Sequence, residues 1–411
     1  MSTLYDADQR IRRLRKSDID IVVRKNGKPV PDAQIKVEMK KHQFLFGCNC
    51  IPAISYEGEM AARYKEYFSK LFNYTTLPFF WQRYEKKRGE TDHEHLGKLV
   101  DWCKELDLTT KSHPIAWQKL SPQWLEDFQD VEASLKKRAE HLMTQFGGQI
   151  DFWDAFNEIT AAYLYDNPVS RWIYKKGKAN AVRFVVDAIR EVNPNANLLY
   201  NDFNIWNKDC EVLLEELRYM GVELQGVGLQ SHMHTFLWTM EEAWEMCERY
   251  ARFGWPLHFT ELTVLSGNYI GRNGMMSDDS KTEDWYRGKE MEELQAKYTV
   301  DFYTMLFSHP AVEAITWWDF QDNDWRAAPA GLVTEDIYTK PAYHALRRLI
   351  REEWWSRESG RTNSDGIYRC NVYYGDYTIE IQAAGQKVAL DTSVFKDITH
   401  PGAPRKIEIC L

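Results

Sequence analysis

No apolar run in this sequence approaches the length of a bilayer-spanning helix, which excludes a helical membrane-spanning protein. The segment from Met1 to Ile19 is polar and charged and lacks the apolar stretch of a secretory leader, so no signal peptide is read there. Positive charge is also short: 52 Lys and Arg stand against 61 Asp and Glu, leaving a net charge of −9 that argues against a nucleic-acid partner. Cysteine is sparse, odd in number and scattered, at Cys48, Cys50, Cys103, Cys210, Cys247, Cys370 and Cys410. Cys48-Asn49-Cys50 is too tight for an ordinary disulfide within a strand, and no paired CxxC suggests zinc. These thiols read as reduced core residues, which sets the expected location in the cytoplasm, or outside the cell if a leader has been removed.

Aromatics are abundant instead. They make up 14% of the chain, with 16 Trp and 22 Tyr, more than a core alone needs and suited to stacking on the C–H face of a sugar. Two stretches stand out. Trp153-Asp154-Ala155-Phe156-Asn157-Glu158 and His258-Phe259-Thr260-Glu261 each read as a buried strand that ends in a glutamate. Two glutamates at strand ends are what glycosidic bond cleavage requires: one acid protonates the leaving oxygen, and one carboxylate attacks or stabilises the carbon that becomes cationic.

Apolar runs alternate with amphipathic ones along most of the chain. The expected strands are Phe44–Cys50, Phe72–Thr76, Thr109–Ile115, Ile150–Asn157, Leu198–Asp202, Gly226–Gln230, Leu257–Glu261 and Ala314–Trp318. Ala133–Gln145, Ala179–Val192 and Cys210–Met220 are expected helices between them. Eight strands alternating with helices predict an α/β fold, a (β/α)8 TIM barrel over residues 43–355, with its site at the carboxyl ends of the strands. Residues 1–42 and 356–411 alternate at period 2, as in Ala33–Met39 and Tyr377–Ile381. They are expected to pair in a small sandwich-like β region whose role is packing rather than sugar binding.

The other strand ends carry His113 and Trp117, Asn201-Asp202, Gln230-Ser231-His232 and Trp317, a set of donors, acceptors and flat rings that suits a sugar. With Lys111-Ser112-His113-Pro114-Ile115-Ala116-Trp117, the two glutamate stretches, Tyr200-Asn201-Asp202-Phe203-Asn204, Gly226 to His232, Trp317 to Arg326 and Lys340-Pro341-Ala342-Tyr343 in this order, the chain resembles glycoside hydrolase family 10, the β-1,4-xylanase family, from about Phe44 to Arg347. The resemblance implies a retaining mechanism with Glu261 as nucleophile and Glu158 as acid, then base. It implies that Asn157 meets the sugar 2-hydroxyl and His113 another hydroxyl. His232 would orient Glu261, Gln230 would support that end, and Trp317 and Trp325 would form the glycone platform beside Trp117. No cofactor and no metal are expected, and the partner is a carbohydrate.

Three departures bear on the substrate. Where the family carries a Glu-Asn pair and then Lys, this chain has Pro78-Phe79-Phe80-Trp81-Gln82, with Gln82 at the Lys position as a substrate-binding residue. Gln118 replaces a His, and Thr263 replaces an Asp that sets the charge of the neighbouring His. Phe79, Phe80 and Trp81 are expected to close the distal glycone subsite and favour short or apolar glycosides. Alternatives stay open: another retaining β-glycosidase with a different sugar, a non-catalytic sugar-binding protein, or a metal-dependent barrel hydrolase using His232 and His234.

Overall fold

The structure, a computed structural model, describes residues 4–271, 276–383, 385–396 and 405–411. Residues 397–404 of the expected terminal β region lie outside them. Eight strands alternate with helices: β1 (Leu45–Asn49), β2 (Tyr74–Pro78), β3 (Thr109–His113), β4 (Phe152–Asn157), β5 (Asn197–Asp202), β6 (Gly226–Leu229), β7 (Leu257–Val264) and β8 (Val312–Trp317). Each is parallel to the next, β8 pairs with β1, and β6 pairs with β7, which closes the barrel. Such strands are covered on both faces, so they read as continuous buried runs. All eight residues of β7 are buried.

The helices between them are the expected amphipathic ones, at Phe128–Phe146, Lys178–Val192 and Lys208–Tyr219 among others. The first begins where Asp127 accepts a hydrogen bond from the Asp130 amide, satisfying an otherwise orphan donor. No helix among the described residues is long and apolar enough to cross a membrane. All seven cysteines are free, and six are buried.

The barrel interior is layered. Tyr74, Phe152 and His258 stack edge to face low in the barrel. Beside them, Lys111 Nζ and His113 Nδ1 both reach Asp154 Oδ2 at 2.7 Å. The site sits over this ion pair, at the carboxyl ends.

The chain termini build two four-stranded sheets outside the barrel. One joins Lys16–Lys25 to Ile367–Tyr373, Arg405–Cys410 and the short Lys28–Pro29. The other runs Arg357–Arg361, Gln34–His42, Gly375–Ala383, Gln386–Val394. Alternation puts Ile35, Val37 and Met39 inward, in one core with Ile19, Ile21, Ile379 and Ile381. Asn73 ties this region to the barrel, donating to the carbonyls of His42 and Phe44 and accepting from the Phe46 amide.

Arg15 makes the other tie. It closes the helix Ala7–Arg15 and donates to the carbonyls of Phe307, His309 and Val312, each at 2.7 Å, at the amino-terminal end of β8. Burial pulls its guanidinium down to about 10. Replacing it by Met removes three charge-assisted bonds and leaves carbonyls unpaired, a loss of about 2–4 kcal/mol. A urea titration of Arg15→Met is expected to show the midpoint shifted down accordingly; an unmoved midpoint would mean that the termini dock by apolar contact alone.

Candidate active site

Two local distortions turn the acidic strand ends into the barrel mouth. On β4, Asp154 faces the interior, so strict alternation would turn Asn157 away. The pairing with β5 shifts register between Asp154 and Phe156, and this extra residue brings Asn157 inward. On β7, Phe259 packs outward on Phe302 while Thr260 points in and bonds Asn201. A register shift between Phe259 and Leu262 lets Glu261 face the mouth instead of sharing the Phe259 side. Glu158 follows β4 in a left-handed conformation, φ 53°, uncommon for a residue with a side chain. The turn is held by its own amide donating to the Asn201 carbonyl at 2.8 Å and by Gln118 Nε2 donating to its carbonyl at 2.6 Å. Gln118, at the position of the expected His, is therefore a support for the acid.

A chain of amides links the two carboxyls. Gln230 Nε2 donates to Glu158 Oε1 at 2.9 Å and to Asn157 Oδ1 at 3.2 Å. Asn201 Nδ2 donates to the same Asn157 oxygen at 2.9 Å and to Glu261 Oε1 at 2.8 Å. The Thr260 hydroxyl reaches Asn201 Oδ1 at 2.6 Å and so fixes which way that amide faces. With two donors on its oxygen, Asn157 leaves its Nδ2 buried and with no partner among the described residues. Gly228 on β6 makes room, since a Cβ there would stand 2.3 Å from Asn201 Oδ1.

The two acids are tuned apart. Burial, and then the nearby Glu261, pushes Glu158 up to about 8. Burial also acts upward on Glu261, but the His232 hydrogen bond and the neighbouring His113, His232 and Lys111 outweigh it and hold Glu261 below the usual carboxylate range. His232 Nε2 lies 3.1 Å from Glu261 Oε2, and its Nδ1 lies 2.9 Å from Thr263 Oγ1. A hydroxyl can donate to Nδ1, which leaves the ring proton on Nε2 facing the carboxylate. Thr263 thus meets the His232 ring at the position where the resemblance implies an Asp.

These groups line a cleft of about 760 Å³. Glu158, Glu261, His113, Trp117, Gln230, His232 and Trp325 all line it, and Asn157 lies buried beside them. Trp117 donates its Nε1 to Glu158 Oε2 at 3.0 Å. Trp325 packs on His232 and His234, each ring centroid 4.5 Å away. No cluster of metal-ligating side chains occurs among the described residues.

Four expectations need correction. Trp317 is fully buried with its Nε1 on the Ala330 carbonyl, and Trp318 lines the cleft in its place. Gln82 does not reach the cleft, whereas Arg83, one residue on, does. Phe79 packs on Phe146 and Trp153, and Trp81 on Trp124, so of the aromatic run only Phe80 forms cleft wall, against His113 and Trp117. Gln230 holds Glu158 rather than supporting Glu261. Trp317 and Gln230 sit at a strand end or just past it, and Trp81 and Gln82 lie in the short helix Trp81–Tyr84, where period-2 alternation no longer sets direction. Sequence reading also passed over Asn49, Asp319, Phe203 and Trp206, which line the cleft. Asp319, an acid inside the aromatic run Trp317-Trp318-Asp319-Phe320, was the one visible signal.

The model of the family described as glycosyl hydrolase family 10 matches residues 36–349, most of the chain. The chain belongs to glycosyl hydrolase family 10. Among relatives, an anti-sigma-I factor, RsgI6, of Acetivibrio thermocellus is 24% identical over 92% of this chain and 47% of its own length. Endo-1,4-beta-xylanase B of Thermotoga neapolitana is 24% identical over 71% of this chain and 85% of its own. Endo-1,4-beta-xylanase 2 of Arabidopsis thaliana is 22% identical over 89% of this chain. The chain spans 47% and 32% of the RsgI6 and Arabidopsis proteins. Among solved structures, xylanase 10B of Thermotoga petrophila in complex with xylobiose superposes with a TM-score of 0.64 at 20% identity, over 76% of this chain and 95% of that one.

The family member's raised acid has a measurable cost. A carboxyl that ionises at 4.5 in the unfolded chain but near 8 when folded binds more protons in the native state, so stability falls as pH rises between those values. Glu158→Gln removes this proton linkage. Its stability relative to wild type is expected to improve with pH from 5 to 8, by at most about 1.4 kcal/mol per unit. Parallel denaturation curves across that range would instead indicate an ordinary carboxyl.

Proposed function

We propose that this protein is a retaining β-glycoside hydrolase that cleaves β-xylosidic linkages, of the xylan or xylo-oligosaccharide type, by double displacement. The observation that carries the reading is two buried carboxyls in one cleft, joined through Gln230, Asn157 and Asn201 and held by unequal partners. Glu261, kept ionised, attacks the anomeric carbon while Glu158, kept protonated, gives its proton to the leaving oxygen. A glycosyl ester on Glu261 forms and the C–O bond to the leaving group breaks. Loss of the Glu261 charge lowers the pKa of Glu158, which then takes a proton from water as that water displaces Glu261.

The unpartnered Nδ2 of Asn157 supports the same chemistry, since it is a free donor between the two acids and suits the 2-hydroxyl. His113, tied to Asp154 below, offers its Nε2 at 3.9 Å from Glu261 Oε1, where a neighbouring ring hydroxyl would lie. The relatives named as xylanases and the xylobiose-bound structural neighbour favour a xylose-based substrate. The apolar Phe80 wall favours a shortened glycone side, with short or aryl glycosides turned over at least as well as polymer.

The test is a substrate profile on xylan, xylo-oligosaccharides and aryl β-glycosides. Glu261→Ala is expected to lose about 10⁴-fold or more on all of them. Glu158→Ala should lose about 10²–10⁴-fold on xylo-oligosaccharides, yet keep most first-step activity on aryl glycosides whose phenolate leaves without a proton. The wild-type rate should fall as pH rises through about 8, where Glu158 loses its proton. A turnover that climbs steeply from two to five xylose units would rule out the shortened glycone side. Full activity in Glu261→Ala would overturn the mechanism.

A further inference from the structure

The loop after β8 opens with three acids, Asp319, Asp322 and Asp324, and they are not used alike. Asp322 is an anchor: its Oδ1 accepts from Lys340 Nζ and from the Gly331 amide, both at 2.8 Å. Asp319 is only 1% exposed and lines the cleft, yet among the described residues no hydrogen bond reaches its carboxyl, and its Oδ2 is buried without a partner. The backbone beneath it is fixed, because the Trp318 amide donates to the Leu262 carbonyl at 2.8 Å and Asn49 Nδ2 donates to the Trp318 carbonyl. A buried polar group left unpaired costs about 1–3 kcal/mol, and Asp319 faces the cleft, where a ligand can supply the donor.

Its position defines what it can reach. The leaving group lies on the side of the acid, toward β4 and β5. The opposite side is formed by the ends of β8, β1 and β2, through Asp319, Asn49 and Phe80. From β2, Phe80 offers no polar group and Arg83 lays its guanidinium over the Phe80 ring, which leaves Asp319 and Asn49 as the buried polar groups facing a sugar there. Burial first, and then the neighbouring Asp324, Asp322 and Glu261, favours the protonated form of Asp319. A protonated carboxyl presents one donor and one acceptor side by side. Two adjacent equatorial hydroxyls of a sugar present the matching pair.

We propose that Asp319 is a specificity-determining residue that clamps two adjacent hydroxyls of the sugar on the glycone side, in place of a clamp from β2. The inference rests on the glycosidase reading above. The experiment is calorimetric binding of xylotriose to the Glu261→Gln protein, with Asp319 intact, as Ala, and as Asn. Asp319→Ala should weaken binding by about tenfold or more, because two hydroxyls lose their partners. Asp319→Asn keeps a donor beside an acceptor and should stay within about threefold of the parent. The Ala variant should melt no lower than the parent, since it removes an unpaired acid, whereas a structural role would lower its melting temperature. Equal xylotriose affinity with Ala and Asp at this position, in a protein whose wild type hydrolyses xylo-oligosaccharides, overturns the clamp alone. No binding by any version and no hydrolysis by wild type overturns the glycosidase reading and the clamp with it.

Discussion

The constraint on which the site depends is the burial of two carboxyl groups in one mouth with one of them charged. Charges interact far more strongly in a protein interior than in water, and an uncompensated one is expensive there. Glu261 is compensated from two directions. His232 and Asn201 donate to its oxygens, and Lys111 and His113 lie beneath, themselves balanced by Asp154. Among the described residues Glu158 has no such cation within bonding reach, only neutral donors from Trp117 and Gln230, so it keeps its proton. One acid and one base in the same cleft follow from that unequal supply of positive charge.

The geometry is held by side-chain amides rather than by ion pairs. The run from Glu158 through Gln230, Asn157 and Asn201 to Glu261 crosses β4, β5, β6 and β7, and each member is oriented by the next. Such networks are valuable only when nearly every group is satisfied. The unsatisfied donor in this one, Asn157 Nδ2, is therefore informative, as is the unpaired carboxyl of Asp319 across the cleft. The left-handed backbone at Glu158 fits the same pattern, local strain held where chemistry needs a particular direction.

The cleft is asymmetric. Toward β4 and β5 its wall is Leu164, Tyr165, Phe203 and Trp206. Toward β8 it carries Trp318, Asp319 and Trp325, and toward β2 it carries Phe80 and Arg83. The departures from the family pattern at Thr263 and Gln118 are absorbed without loss of the acid pair: one hydroxyl orients His232, and one amide holds the Glu158 turn.

Much of this was legible in the sequence. Buried apolar runs alternating with amphipathic ones dictated the barrel, because parallel strands with crossover helices leave few other closures. Runs that end abruptly in Glu158 and Glu261 pointed to the two acids that the structure buries in one cleft. Only the tertiary structure decided which neighbour of each strand end faces the mouth: Trp318 and not Trp317, Arg83 and not Gln82, Phe80 alone among three aromatics. It also decided that Gln230 serves Glu158. The physical reason is the same in each case. Sequence period predicts direction while a strand stays regular, but a bulge of one residue reverses the face, and a loop or a helical turn such as Trp81–Tyr84 beyond the last ladder bond does not keep that period.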